Sequence, residues 1–365
     1  MKISTPINGM PYADSFQNAC LPVSLSLTGK AVWSASPPST MEMGDPRMLT
    51  VAGQTLFVSC QEGVYALDTA TGKMLWEKAY INYADPFMTA DCIRTVTPNH
   101  YLEYLSLNGT SIERFRVPIL VDAFRLFYLY MDDDRMFLVL NRYPTRFDEP
   151  EPQGFILTNY SRRDAHITWY REAEDLAVGY VVVPETGKLF VATEKHLYQT
   201  TLDAVKDSHM TSLDINGARS LSMDHQGNLL IMKHEGEKQM LLCTDQGGVK
   251  KWRVSLPELG SIVHPAASTP GGVVYCSPDK ILFCIKDGVV LWQKKLRKLD
   301  EYGLMLTTLS DDSVIAAGMN NVMQISQKGD TLAQILVPFV VTCRPVADGS
   351  GRLYVAGAEG VGCYQ

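Results

Sequence analysis

Arginine recurs in this chain at the entrances of short apolar runs: Arg47, Arg125, Arg219 and Arg344 each precede one. A guanidinium offers planar donors that match carboxylate or phosphate, so several brought together would make an anion site. Counting back from the turns of the repeat described below puts Asp85, Tyr180, His264 and Tyr302 at the corresponding points of the remaining units. His264 with Asp85 or Tyr302 is the set that would supply a general base beside such a clamp. A plainer reading stands beside each. Crowded arginines also form structural ion pairs, and both His264 and Asp85 precede a proline, as turn residues at strand starts do.

Other familiar chemistry is missing from the sequence, which has no Gly-x-Ser-x-Gly, no His-Glu-x-x-His and no Cys-x-x-Cys. The eight cysteines are scattered, several in apolar runs such as VYCS and LFCI, and read as small hydrophobes. Asp132, Asp133 and Asp134 are consecutive, whereas a calcium loop needs alternate ligands and a glycine, so they read as a solvated turn. No metal is expected. The basic run KKLRK (294–298) reads as a device that keeps an outer strand soluble and unpaired.

The elements that must position these residues are repeats. All five tryptophans fall in one phrase: Gly29 and Trp33, Gly72 and Trp76, Gly248 and Trp252, Gly288 and Trp292, with Ala165 and Trp169 keeping the spacing without the glycine. Ahead of the anchors lie paired apolar runs introduced by a Gly or Asp turn, as in GQTLFVSCQEGVYALD (53–68) and GGVVYCSPDKILFCIKD (271–287). Eight such hairpins can be counted, from Gly53, Asp91, Asp134, Gly187, Gly227, Gly271, Asp312 and Gly351. Four short strands at a period of roughly 40 residues describe the blade of a β-propeller. The last unit ends at Gln365 without an anchor strand, and SLTGKAVWSA (26–35) is an anchor strand without a hairpin. A shared blade built from both termini would close the ring, giving eight blades of four antiparallel strands. The expected layout is a tail over 1–24 and one propeller over 25–365, with a Pro-rich charged loop inserted at 141–154.

Composition narrows the function. With 33 Lys plus Arg against 40 Asp plus Glu, the formal charge of −7 opposes binding to nucleic acid. The first twenty residues lack the apolar core of a secretory signal, and no stretch of eighteen apolar residues offers a membrane span. A soluble, cytoplasmic, monomeric protein without membrane insertion is the expectation.

At VYALDTATGKMLWEK (64–78), Ala66, Asp68, Thr71, Gly72 and Trp76 match the phrase AxDxxTGxxxW. This resembles the tryptophan-docking repeat of the pyrroloquinoline-quinone-type β-propellers, a likeness that extends over most of residues 24–365 with one complete copy. The resemblance implies that Trp33, Trp76, Trp169, Trp252 and Trp292 wedge between neighbouring blades. Quinoprotein alcohol dehydrogenases of this class carry adjacent cysteines over the quinone and long insertions around it; this chain has no Cys-Cys pair and little length beyond its repeats. No bound quinone is therefore expected. The chain is more similar to the compact, cofactor-free members, such as the outer-membrane assembly lipoprotein of the Bam complex, which are scaffolds.

The favoured expectation is a non-catalytic platform that docks a protein partner or an anionic ligand at the channel mouth or a loop face, through Arg47, Arg125, Tyr180, Arg219 and Arg344. The first alternative is an enzyme acting there on an anionic small molecule, with arginine clamps and His264, Asp85 or Tyr302 in catalysis. The second is a quinone-dependent dehydrogenase.

Overall fold

The computed structural model describes residues 20–21, 23–37, 45–60, 63–79, 87–88, 92–96, 101–116, 124–131, 135–142, 154–161, 166–183, 186–201, 210–235, 238–257, 264–278, 281–296 and 304–365. These form no helix and eight sheets: seven of four strands and one of five. In chain order they span 46–79, 87–116, 124–173, 177–213, 218–256, 267–295, 305–336 and 346–364, here sheets 1 to 8. In each sheet four strands consecutive around the ring pair antiparallel, each with the next. First strands of sheets 3 and 4, 4 and 5, 6 and 7, and 8 and 1 lie against one another, so the sheets stand side by side with their first strands inward.

Burial follows the same order. In sheet 6, Val273–Cys276 is buried throughout, whereas the outer strand Val289–Lys295 is exposed on most of its length. A short unbroken apolar run suits a strand covered on both faces. The cores sit between sheets. Leu49, Val58 and Tyr65 of sheet 1 pack on Tyr354, Val361 and Cys363 of sheet 8, and Tyr275 and Cys284 of sheet 6 pack on Leu306 and Ala316 of sheet 7.

The ends meet as their complementary deficits require. Ala31–Ala35 is the outer strand of sheet 8, antiparallel to Gly360–Tyr364. The Thr28 and Lys30 amides donate to Gln365 O at 3.0 and 3.1 Å, and the Gln365 amide donates to Lys30 O at 2.9 Å. The segment ahead of this strand is built into the ring as well. Cys20–Leu21 pairs parallel with Thr308 and Leu309, at the end of the innermost strand of sheet 7, and Leu25 O accepts from Gln324 Nε2 at 3.0 Å.

Tryptophans tie several of the sheets to the next. The Trp33 indole donates to Thr69 O at 2.9 Å, Trp76 to Leu107 O at 3.0 Å and Trp292 to Gln327 O at 2.7 Å. A large flat side chain with one polar hydrogen suits a wedge whose far end reaches a backbone carbonyl. The glycines of the docking turns make room for it. A Cβ on Gly72 would stand 2.5 Å from Trp33, one on Gly109 2.7 Å from Trp76 and one on Gly288 2.6 Å from Trp252. All three also have positive φ, which glycine adopts without steric cost. Trp169 lies in the outer strand of sheet 3 opposite Asn159; its side chain is outside the described residues.

The strands of the long hairpin in sheet 3 run through Arg142 and resume at Gly154, so the expected loop at 141–154 is shorter at both ends. Asn141 is a buried strand residue whose amide bonds both ways to the Ala177 backbone, at 2.9 and 3.0 Å. Residues 143–153 and the Asp132–Asp134 run lie outside the described residues, as do Arg297 and Lys298 of the basic run. Lys294 of that run donates to Gly329 O at 2.9 Å and Thr331 Oγ1 at 2.8 Å, giving it a definite role between sheets 6 and 7.

Candidate functional site

Strand register decides which candidate residues occupy equivalent places. In sheet 1 a ladder runs Thr50, Phe57, Ala66, Trp76 across the four strands. Its counterpart is Ser222, Leu230, Cys243, Trp252 in sheet 5 and Ala267, Tyr275, Cys284, Trp292 in sheet 6. Three residues before the first member of each ladder stand Arg47, Arg219 and His264. These three are therefore one position seen in three sheets.

At two of them the backbone itself is special. Pairing skips Arg47 between Pro46 and Met48, and skips Arg219 between Ala218 and Ser220. A bulge of this kind frees the extra residue from the ladder and re-aims its side chain. The same skip falls on Val178 in sheet 4 and Phe127 in sheet 3. Tyr180 thus stands two residues further along its strand, opposite Val191, and does not share the place of Arg47. Arg125 stands two residues before the skip, in regular pairing with Asn141; its side chain is outside the described residues. In sheet 8 the ladder Val346, Tyr354, Cys363, Trp33 sets Cys343 at the equivalent position and Arg344 next to it. Asp85 and Tyr302 lie outside the described residues.

Counting from turns does not reveal the bulges. A bulge adds one residue without changing residue type, and the four extruded residues, Arg47, Phe127, Val178 and Arg219, share no side-chain chemistry.

Electrostatics around these residues is mixed. Arg219 Nη1 lies 3.1 Å from Glu194 Oε1, in the neighbouring sheet 4, with both side chains substantially exposed. Such a pair contributes little to stability. Arg47 is exposed, while the terminal nitrogens of Arg344 are shielded from solvent. The nearby Cys60 thiol is pushed up to about 12 by burial and by Asp45, with Arg47 opposing. Burial likewise raises the thiols of Cys243 and Cys276 to about 12. Thiols held in that range are protonated near neutrality and are poor nucleophiles. His264 is half-buried.

Among the described residues, no three His, Cys, Asp or Glu side chains are grouped to hold a metal. The exposed Arg47 and half-buried Arg219 suit the carboxylates of a quinone cofactor, but no acidic cluster for an accompanying ion lies among the described residues.

Ring order, inward first strands and termini sharing a sheet define the class: an all-β propeller. Its repeats carry the tryptophan-docking phrase, and part of the chain is similar to a pyrroloquinoline-quinone-type repeat family. The family described as outer membrane protein assembly factor BamB matches residues 23–194. Among solved structures, the chain is similar to quinohemoprotein alcohol dehydrogenase from Comamonas testosteroni, with TM-score 0.69 and 10% identity over 98% of this chain and 80% of that one. A europium-containing methanol dehydrogenase gives 0.67 and 12% over 96% and 90%. The Dos1 propeller gives 0.58 and 12% over 99% and 95%. At these identities the likeness is one of fold. No curated protein matches the chain.

Proposed function

We propose that this propeller is a non-catalytic binding platform, docking a protein partner or anionic ligand where the first strands begin. The observation that carries this reading is the extrusion of Arg47 and Arg219 from their ladders at equivalent positions. Two bulges that free the same cationic residue type supply donors suited to a carboxylate or phosphate. The match of residues 23–194 to an assembly-factor family supports a docking role over chemistry, as do thiols held protonated by burial.

The test is thermal stability at low salt, titrated with citrate and with an octaglutamate peptide, for the native chain and for Arg47→Glu with Arg219→Glu. The native chain should gain several degrees and the double variant none; equal responses would remove the arginines from the site. An enzyme with His264 as base is separated by recovering the bound ligand after incubation, since a platform returns it chemically unchanged. For the dehydrogenase reading, the decisive observation is a quinone absorbance that stays with the protein through gel filtration after incubation with pyrroloquinoline quinone and calcium.

A further inference from the structure

Three docking turns have the same hydrogen bonds. In 106–110, 245–249 and 326–330 the first residue's amide donates to the fifth residue's carbonyl and the fourth residue's amide donates back to the first, at 2.9 to 3.1 Å. In two of them the second carbonyl, Leu107 or Gln327, accepts an indole N–H from the preceding sheet. The third turn offers Gln246 O, and the preceding sheet 4 has no tryptophan to meet it. Sheet 4's ladder runs Val181, Phe190, Gln199, Thr211, so an exposed Thr211 stands where Trp76 and Trp292 stand in theirs. A Cβ on Gly248 would meet nothing closer than Leu213, at 3.6 Å.

The place left by the missing indole continues into a groove of about 170 Å³ along the face of sheet 5 turned to sheet 4. The outer strand of sheet 4 is three residues long, Thr211–Leu213. The floor of the groove is apolar, from Ile215, Met240 and Leu242. Two polar groups of the lining are poorly served. Thr244 is fully buried and its Oγ1 has no hydrogen-bond partner; the corresponding residue before the 106–110 turn is Leu105, packed in the cluster that Trp76 covers. Lys233 is 6% exposed and its Nζ donates to Asn216 Oδ1 at 3.5 Å, a long bond to a neutral acceptor. A buried hydroxyl wants a partner and a buried ammonium wants an opposite charge. At the rim, Lys250 and Arg253 are exposed beside Asp214 and Glu235, and Arg253 reaches Glu235 at a loose 3.5 Å; with Lys233, three cations against two carboxylates leave the lining with one net positive charge.

We propose that this groove between sheets 4 and 5 is a docking site for an extended acidic segment of a partner protein, which inserts one tryptophan where the ring lacks its own. The indole N–H takes Gln246 O, the ring covers Thr244, and flanking carboxylates meet Lys233, Lys250 and Arg253. The site stands whether or not the channel mouth is used.

The probe is a fluorescein-labelled nonapeptide with acidic residues on both sides of a single central tryptophan, read by anisotropy at low salt against the full chain. Replacing that tryptophan by alanine should weaken binding at least tenfold. Thr211→Trp, which fills the slot from within, should do the same while melting no lower than the native protein. Lys250→Glu with Arg253→Glu, on the exposed rim, should also lose at least tenfold and keeps the test alive if Thr211→Trp fails to fold. The assignment is overturned if the native chain does not bind the peptide, if the alanine peptide binds equally, or if a folded Thr211→Trp binds as the native chain does. A concentration-dependent dimer in sedimentation that Thr211→Trp abolishes would give the slot to a second copy of this chain and equally overturn the partner segment.

Discussion

The junction of sheets 1 and 2 and that of sheets 4 and 5 use one backbone plan and differ in what fills it. At the first, Trp76 spans the gap, bonds Leu107 O at 3.0 Å and lies over Phe57, with ring centroids 5.9 Å apart. An ion pair of Lys78 with the buried Glu103, at 2.7 Å, adds a second tie. At the other, Thr211 is exposed, a Cβ on Gly248 would stand 3.6 Å from Leu213, and a groove remains. The difference separates two jobs that a repeat usually performs together. Apolar packing joins the sheets at both junctions, Phe57 with Ile93 and Leu105 at one and Val181 and Phe190 with Leu221 at the other; sealing the outer rim needs the aromatic wedge.

The largest effect should come from removing a strand that no other segment replaces. Deleting residues 31–35 strips the outer strand from sheet 8 and exposes the Gly360–Tyr364 edge, so the truncated chain should lose its single cooperative melting transition in calorimetry. If the transition stays cooperative and near its native temperature, closure through the shared sheet is not what holds the ring.

Next comes the wedge itself. Trp76→Ala should cost about 3–5 kcal/mol, the range for truncating a large packed aromatic, whereas Thr211→Ala should stay within about 0.5 kcal/mol, as surface substitutions do. Urea melts of the two variants measure the contrast directly, and similar losses would erase the distinction drawn between the junctions. Gly109→Ala sharpens it. The glycine has φ +82° and its Cβ would stand 2.7 Å from Trp76, so roughly 1–3 kcal/mol of backbone strain is expected. The same change at Gly53, with φ +59° and nothing within 4 Å, carries the strain without the clash and should cost less.

Much of this architecture was legible because its signals are local. The eight hairpins expected from Gly or Asp turns coincide with observed strand pairs, such as Thr55–Cys60 with Gly63–Asp68 and Leu353–Gly357 with Gly360–Tyr364. Asp312, at φ +63°, takes in sheet 7 the turn conformation that Gly53 and Gly187 take elsewhere. The unpaired ends predicted the shared sheet. What could not be read was register. Extruded residues in the first strands of sheets 1, 3, 4 and 5 leave Tyr180 and Arg125 off the place that Arg47, Arg219 and His264 share, and a bulge carries no composition of its own. The inner pairing of Cys20–Leu21 was hidden for another reason, since two residues are too few to show periodicity. The open groove was half visible: the phrase TSLDINGARS contains no tryptophan, but which residue replaces it depends on a ladder that only coordinates supply.

The smallest effect concerns pH, and it contrasts a turn that carries a buried partner with one that does not. Asp348 is in the turn before Leu353–Gly357, where burial works against its charge but Ser350 and Tyr354 hydroxyls at 2.7 Å, with the Ser350 and Arg352 amides, hold its carboxyl below the ordinary value. A carboxyl depressed in the folded state contributes stability that is present above its unfolded pKa and is lost as pH falls through the lower folded value. Asp348→Asn should therefore melt below the native protein at pH 7, and the gap should narrow between roughly pH 4 and pH 3, where the native carboxylate begins to protonate. Asp224 caps the corresponding turn of sheet 5 by accepting from the Gln226 and Asn228 amides at 2.9 and 2.8 Å, with no tyrosine hydroxyl on it among the described residues. Asp224→Asn exchanges charge-assisted bonds for neutral ones and should melt below the native protein at pH 7, by less than Asp348→Asn, which also weakens two hydroxyl bonds. Melting curves at matched ionic strength measure both gaps, and an Asp348→Asn deficit that stays constant or widens on acidification would show that its hydrogen bonds do not favour the ionised form.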